Sequence, residues 1–250
     1  MRPNLLILGG TTEASRLALR LAGMHLDATL SYAGRVSRPM EQPIPTRSGG
    51  FGGVEGLADY LSEHRVTHLV DATHPFAAKM SGNAVAASRL TGVPMVALIR
   101  PPWAPVAGDD WRRVTDMNSA RENIGHERKT VFLAIGRQEL GAFAGTPHRF
   151  LIRVVDPPME RFPLEDYTAV VARGPFDVEG DRRLMEEHGV DLVVSKNAGG
   201  DGARAKLDAA RALRLPVVMI DRPPVPPREE VATVGEVIAW LAHSGTERGV

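Results

Sequence analysis

The sequence predicts an α/β protein of two Rossmann-like lobes with parallel sheets and a ligand cleft between them. Three observations predict it. Apolar runs alternate with helical segments from residue 5 to residue 242, the pattern of right-handed β-α-β crossovers. A strand-loop-helix-strand stretch occurs twice, at residues 64–102 and 188–224, and both copies end in Arg-Pro-Pro. With a two-residue gap, Val66 matches Val190, Pro94 matches Pro216 and Arg100 matches Arg222. A stiff stretch at 100–110, holding Pro101, Pro102 and Pro105, separates two runs of alternation.

The elements follow in order. Residues 5–8 (Leu-Leu-Ile-Leu) form a continuous apolar run stopped by Gly9-Gly10, which suits a buried parallel strand. Ala14, Leu17, Ala18 and Leu21 then recur at helical spacing. Residues 26–32 read as a second strand and 46–53 as a loop, with four glycines around Phe51. Residues 54–64 read as a helix and 67–72 as a strand. Pro75 suits the first position of the next helix, where a missing N–H costs nothing. Residues 94–99 are a strand. The alternation restarts at 130–135, followed by a short helix to Phe143 and strands at 150–155 and 168–172. A helix at 178–188, a strand at 191–194, a helix at 204–213 and a strand at 217–220 complete it. A proline-rich strap at 222–230 leads to a closing helix at 231–242. The expected domains are 1–100, a linker at 101–110, a second domain at 111–243 that includes the closing helix, and a frayed tail at 244–250.

Composition narrows the function. The chain has 250 residues, 43% of them apolar, with 30 basic and 30 acidic side chains. A net charge of zero argues against a general nucleic-acid or anionic-membrane binder but leaves room for a local basic pocket. With no cysteine there is no thiol nucleophile, thiolate metal site or disulfide. No apolar run approaches the ~18 residues of a membrane span. The four apolar residues after Met-Arg-Pro-Asn are too few for a signal-peptide core. A cytoplasmic protein is the expectation.

Gly9-Gly10-Thr11-Thr12-Glu13 between the first strand and first helix has the geometry of a phosphate site. Glycines let the backbone approach an anion, and the helix start supplies unpaired N–H groups and a positive dipole end. The full Gly-x-Gly-x-x-Gly pattern is absent, and a tight strand-to-helix turn would use the same residues. After the second strand an NAD site carries an acid for the ribose 2′-OH. Here no acid occurs between Leu30 and Met40, whereas Ser31, Arg35 and Arg38 do. A guanidinium forks onto a phosphate, so a bound dinucleotide would be NADP rather than NAD.

The two copies of the repeat differ in their loops. Residues 71–76 (Asp-Ala-Thr-His-Pro-Phe) lie where ligands collect in open α/β sheets. Thr73 precedes His74, which the spacing places at a helix N-cap, a position that keeps an imidazole neutral. Residues 195–200 (Ser-Lys-Asn-Ala-Gly-Gly) occupy the equivalent place and offer backbone N–H groups beside Lys196. Arg137 ends the second domain's first strand. Arg137 and Lys196, with Arg100 or Lys206 as further candidates, would face an acidic ligand.

Together these residues resemble the precorrin-6A reductase family of cobalamin biosynthesis. The carriers are Ile7-Leu-Gly-Gly-Thr-Thr-Glu-Ala14, Ala33-Gly-Arg35, Asp71-Ala-Thr-His-Pro-Phe-Ala77, Ile135-Gly-Arg-Gln138 and Ser195-Lys-Asn-Ala-Gly-Gly200, ordered along nearly the whole chain. The resemblance implies an oxidoreductase in which NADPH reduces one macrocycle double bond, with hydride going to C19 of precorrin-6A to give precorrin-6B. On that basis Gly9, Gly10, Thr11, Thr12 and Glu13 fall to the pyrophosphate and nearby ribose. Ser31 and Arg35 fall to the 2′-phosphate, and Thr73 and His74 to the nicotinamide end. Arg137, Ser195, Lys196, Asn197, Gly199 and Gly200 fall to a tetrapyrrole bearing many carboxylates. The proton comes from solvent or a neighbouring carboxyl, and no residue is assigned as general acid; no metal, no membrane and no nucleic acid are expected, and neighbouring pathway enzymes are candidate partners. Two rivals stand beside this reading: a cobalt-precorrin-6A reductase, whose family shares these motifs, and a two-lobed NADP-binding protein without chemistry.

Overall fold

The computed structural model describes residues 2–33, 41–157 and 160–244. The chain divides into two compact units, Met1–Pro101 with Pro224–Val250, and Pro102–Pro223.

The first unit is built on β1 (Asn4–Leu8), α1 (Thr12–Gly23), β2 (Asp27–Tyr32), β3 (Thr46–Ser48), α2 (Val54–Glu63), β4 (His68–Asp71), α3 (Ala78–Thr91) and β5 (Met95–Leu98). The second unit begins with β6 (Trp111–Val114) and α4 (Met117–Ile124). It continues through β7 (Thr130–Ala134), a 3₁₀ turn (Arg137–Phe143), β8 (Arg149–Val154), β9 (Asp166–Val171), α5 (Val178–Glu187), β10 (Leu192–Lys196), α6 (Ala205–Ala212) and β11 (Val217–Ile220). The chain then returns to the first unit with β12 (Glu230–Val231) and α7 (Val234–Ser244).

Both sheets have six strands, ordered β12-β5-β4-β1-β2-β3 and β6-β11-β10-β7-β8-β9. Every pairing is parallel. The two orders superimpose strand for strand, so the expected pair of parallel-sheet lobes is present. The repeat seen in the sequence is the β4-α3-β5 and β10-α6-β11 portion of each.

Why β1 reads as an unbroken apolar run is visible in its two faces. Side chains alternate across a strand. Leu5 and Ile7 pack with Leu17 and Leu21 of α1 and with Val237 and Leu241 of α7. Leu6 and Leu8 pack on the other face with Leu57 and Leu61 of α2 and Ala84 and Ala87 of α3. Both faces are covered, so neither tolerates a polar residue. In the second unit Phe132, Val193 and Met219 meet Met185 of α5 and Leu207 of α6 in the same way.

Four expectations are corrected. The closing helix belongs to the first unit rather than the second, because Val237 and Leu241 complete that unit's core and β12 extends its sheet beside β5. The stretch at 101–110 is not a free linker: Trp103 is buried in the second unit's core. Residues 46–48 pair with β2 instead of forming loop. Pro75 lies in a turn ahead of α3, whose N-cap is Ala77. Ser244 ends α7, and 245–250 lie outside the described residues. Among the described residues no helix is long and apolar enough to cross a membrane.

Candidate functional site

At the carboxyl end of β1 the chain turns into α1 over Gly9 and Gly10. A Cβ on Gly9 would lie 2.5 Å from Leu30 Cδ1, so any larger residue would have to displace the Leu30 side chain for this turn to seat against β2. Its N–H donates to the Ser31 carbonyl at 2.8 Å. Gly10 has φ +120° and no heavy atom within 4 Å of where a Cβ would stand. That open space at a helix N-terminus fits a phosphate oxygen approaching the backbone. Thr11 is the N-cap: its Oγ1 accepts from the Ala14 N–H at 3.2 Å and donates to the Ala72 carbonyl at 2.8 Å. Its hydroxyl proton is therefore already used, and the Thr11 side chain ties the turn to the end of β4. Thr12 is exposed in the first turn. Glu13 pairs with Arg100 at 2.6 Å, both side chains less than a fifth exposed. A carboxylate in the first turn would repel a phosphate; Arg100 neutralises it and leaves Glu13 able to accept a hydroxyl.

The loop after β4 is organised by one carboxylate. Asp71 is buried and accepts from the Thr73 N–H at 3.1 Å, the Thr73 hydroxyl at 2.7 Å, the Ser81 hydroxyl at 2.6 Å and Arg228 Nη1 at 2.8 Å. Arg228 reaches it from the proline-rich strap that precedes β12, with only 6% of its side chain exposed. Thr73 is thus held in place by Asp71. His74 is not the N-cap expected from the sequence. The helix starts four residues later; His74 Nδ1 accepts from the Phe76 N–H at 3.3 Å and its carbonyl from Ala77 at 2.7 Å. An Nδ1 that accepts carries no proton, so the ring N–H is on Nε2.

Ser31 is buried at the end of β2, and its hydroxyl accepts from Arg47 Nη1 at 2.7 Å. Arg35 lies outside the described residues. Arg47, on β3, is a residue that sequence reasoning missed. Its signal was slight: a lone arginine in a three-residue polar strand, followed by the glycine-rich turn.

In the second unit the predicted residues divide into pins and charges. Asn197 is a pin. Its Oδ1 accepts from the Trp103 N–H at 2.7 Å and its Nδ2 donates to the Trp103 carbonyl at 3.0 Å. The Gly200 carbonyl accepts the Trp103 indole N–H at 2.8 Å. Arg222 donates to the carbonyls of Asn197 at 3.0 Å and Ala198 at 3.1 Å. Gly199 and Gly200 have φ +70° and +76°, the left-handed region that this pinned loop demands. Ser195 is fully buried, with its hydroxyl on the Lys196 carbonyl. Lys196 forms an ion pair with Glu139, whose other oxygen accepts the Gly136 N–H at 3.0 Å. Arg137 is exposed, its guanidinium 5.4 Å from the Phe162 ring centroid.

A second group of charges sits at the same edge of this sheet. Arg153 near the end of β8 pairs with buried Asp181 in the first turn of α5. Lys206 in the first turn of α6 is buried, donates to the Ala203 carbonyl and lies 5.0 Å from the Trp103 ring. Phe132, Ala134 and Phe176 join these three charges around a cavity of about 160 Å³. Burial pushes the Lys206 ammonium down to about 8; Asp181 raises it and Arg153 lowers it further. Two cations share one carboxylate in a poorly solvated space, so the pocket carries an excess positive charge suited to an anion. Among the described residues no group of three metal-ligating side chains occurs.

Comparisons with known proteins give the family. Residues 4–242 match the model of the family described as precorrin-6x reductase CbiJ/CobK. A precorrin-6A reductase of Rhodobacter capsulatus is 55% identical over 248 residues, covering 98% of this chain and 99% of that one. A precorrin-6A reductase of Rhodococcus erythropolis is 47% identical over 240 residues, covering 95% and 96%. A cobalt-precorrin-6A reductase of Priestia megaterium is 28% identical over 252 residues, covering 96% and 98%. The solved structure of a CobK precorrin-6A reductase superimposes with a TM-score of 0.93 at 55% identity, covering 97% of each chain. The chain belongs to the precorrin-6x reductase family, and is an oxidoreductase.

Proposed function

We propose that this chain reduces precorrin-6A with NADPH, delivering hydride to C19 to give precorrin-6B in cobalamin biosynthesis. The observation that carries the reading is the 55% identity to a precorrin-6A reductase along essentially the whole of both chains. The higher identity to relatives named for the metal-free substrate, 55% and 47% against 28%, favours precorrin-6A over its cobalt counterpart.

The first unit fits the cofactor. Gly9 and Gly10 make room for the pyrophosphate, the α1 N-terminus offers N–H donors, and Glu13 accepts from the ribose. Ser31 and Arg35 answer the 2′-phosphate. Thr73 and His74, set by Asp71, orient the nicotinamide end. When bound, the reduced nicotinamide supplies the hydride. The second unit fits a ligand with many carboxylates. Arg137, Lys196 and the Arg153–Lys206 pocket provide cations, while Ser195, Asn197, Gly199 and Gly200 shape the end of β10 and the loop that follows Lys196. Most of the rate then comes from alignment and exclusion of water.

The test is steady-state turnover of precorrin-6A with NADPH and with NADH. The reading expects oxidation of NADPH only when substrate is present. Cofactor binding with no oxidation would favour a non-catalytic binding protein. A second expectation concerns Lys196→Ala. It should raise KM for precorrin-6A by roughly tenfold, the loss of one charge-assisted contact, and leave the Kd for NADPH unchanged. Fluorescence titration of NADPH on the variant checks the second half; weakened cofactor and unchanged substrate would place Lys196 on the wrong ligand.

A further inference from the structure

Arg47 carries a charge that no carboxylate of the described residues pairs with. It lies on β3 in register with Ser31 of β2, at the carboxyl end of the first unit's sheet. Nη1 donates to the Ser31 hydroxyl at 2.7 Å and the Gly49 carbonyl at 3.1 Å, and Nη2 to the Gly50 carbonyl at 3.3 Å. All three acceptors are neutral, and no carboxylate of the described residues lies within ion-pair distance. The guanidinium stacks on Phe51, 3.9 Å from its centroid, with Tyr60 at 5.2 Å. Phe51 and Tyr60 in turn meet edge to face. An arginine tied down on one side by three bonds and a ring is pre-organised. Of its five N–H donors, three bonds are made, and the remaining donors form an edge able to fork onto a phosphate.

Its location fixes which phosphate. The Gly9 N–H that opens the phosphate turn donates to the backbone of Ser31, so the turn and the Ser31–Arg47 pair are adjacent. In dinucleotide sites the pyrophosphate sits on the first turn. The ribose 2′ position falls at the end of the second strand, where an acid selects NAD and a cation selects NADP. Here that place holds a buried hydroxyl and a guanidinium.

We propose that Arg47, with the Ser31 hydroxyl, binds the adenosine 2′-phosphate and is a determinant of the preference for NADPH over NADH. This rests on the NADPH reading above and adds a determinant to it, beside Arg35. The role leaves Arg47 in place before the cofactor arrives, so discrimination costs little reorganisation.

The experiment is isothermal titration of the full chain with NADP⁺, NAD⁺ and adenosine 2′,5′-bisphosphate. Arg47→Ala should weaken NADP⁺ and the bisphosphate by roughly 10- to 100-fold and change NAD⁺ by less than about twofold. Arg47→Lys keeps the cation but loses the fork. It should fold as the wild type in a thermal melt and recover part of the NADP⁺ affinity, again without effect on NAD⁺. Equal weakening of both dinucleotides in either variant, or undiminished preference for NADP⁺ in Arg47→Ala, would overturn the assignment. The broader reading fails differently, by the wild-type chain binding neither dinucleotide.

Discussion

Replacing Asp71 by alanine is expected to cost about 3–5 kcal/mol, the largest loss at any single position considered. The carboxylate accepts four bonds, from Thr73 twice, Ser81 and Arg228. It is buried, and so is the Arg228 guanidinium. Removing one partner of such a pair leaves the other charge desolvated and unpaired. Glu230 softens this only in part, because its carboxylate, 3.2 Å from Arg228 Nε, is half exposed. The two ends of the pair are 157 residues apart, so the bond also ties the C-terminal segment to the β4 loop. The double variant Asp71→Ala, Arg228→Met should recover much of the loss, because it removes both charges. Urea denaturation of the wild type, Asp71→Ala, Arg228→Met and the double variant measures this. If the single and double variants are equally unstable, the cost comes from the lost Thr73 and Ser81 bonds instead. Turnover should fall with Asp71→Ala as well, since Thr73 loses both its bonds to Asp71.

Lys206→Met is expected to have opposite effects on stability and on function. The folded chain holds the ammonium at about 8 against an ordinary value of 10.5. Each unit of depression is about 1.4 kcal/mol of penalty on the charged form. Below about 8 both folded and unfolded chains carry the proton, and the full penalty stands. Between about 8 and 10.5 the unfolded chain binds more protons than the folded one, so wild-type stability rises with pH through that window. Methionine has no charge to desolvate. At neutral pH the variant should therefore be more stable by about 1–3 kcal/mol, after the lost bond to Ala203 and the Trp103 contact are counted. This advantage should shrink as pH rises towards 10.5. Over the same substitution KM for precorrin-6A should rise by roughly tenfold or more, because the pocket beside Arg153 loses its surplus cation. Thermal melts across pH and steady-state kinetics test the two halves. A destabilised variant with unchanged KM would make Lys206 a structural residue and the pocket an accident of packing.

How much of this was legible in the sequence depends on how strongly each segment is buried. The four apolar residues of β1 announce a strand covered on both faces, and the structure buries all four. The edge strands announce nothing. Residues 46–48 (Thr-Arg-Ser) and 111–114 (Trp-Arg-Arg-Val) are short, polar and paired on one side only, so no hydrophobic period marks them. The helix after Pro75 was placed too early because proline fits a first turn equally well as a bend. The return of α7 to the first unit could not be read at all, since order along a chain does not say which sheet an edge strand joins. The site shows the same division. The glycines of the first turn declared themselves by type and position. Asn197 and Gly200 are held by bonds to Trp103, a partner 94 and 97 residues away in the chain, which no local pattern reveals. Lys196 was read as a bare cation, whereas Glu139 stands beside it. The Arg-Pro-Pro repeat proved informative in a way its sequence did not suggest. Arg100 meets Glu13 beside the first turn, and Arg222 holds the carbonyls of the 197–198 loop.

The central claim is that this chain transfers hydride from NADPH to a precorrin. A single turnover with NADPH deuterated at both C4 positions tests it most directly. The account predicts that the product, measured by mass spectrometry, carries one deuterium, with an equal amount of NADP⁺ formed. Reduced product without deuterium, or no reduction while NADPH remains bound, would contradict it.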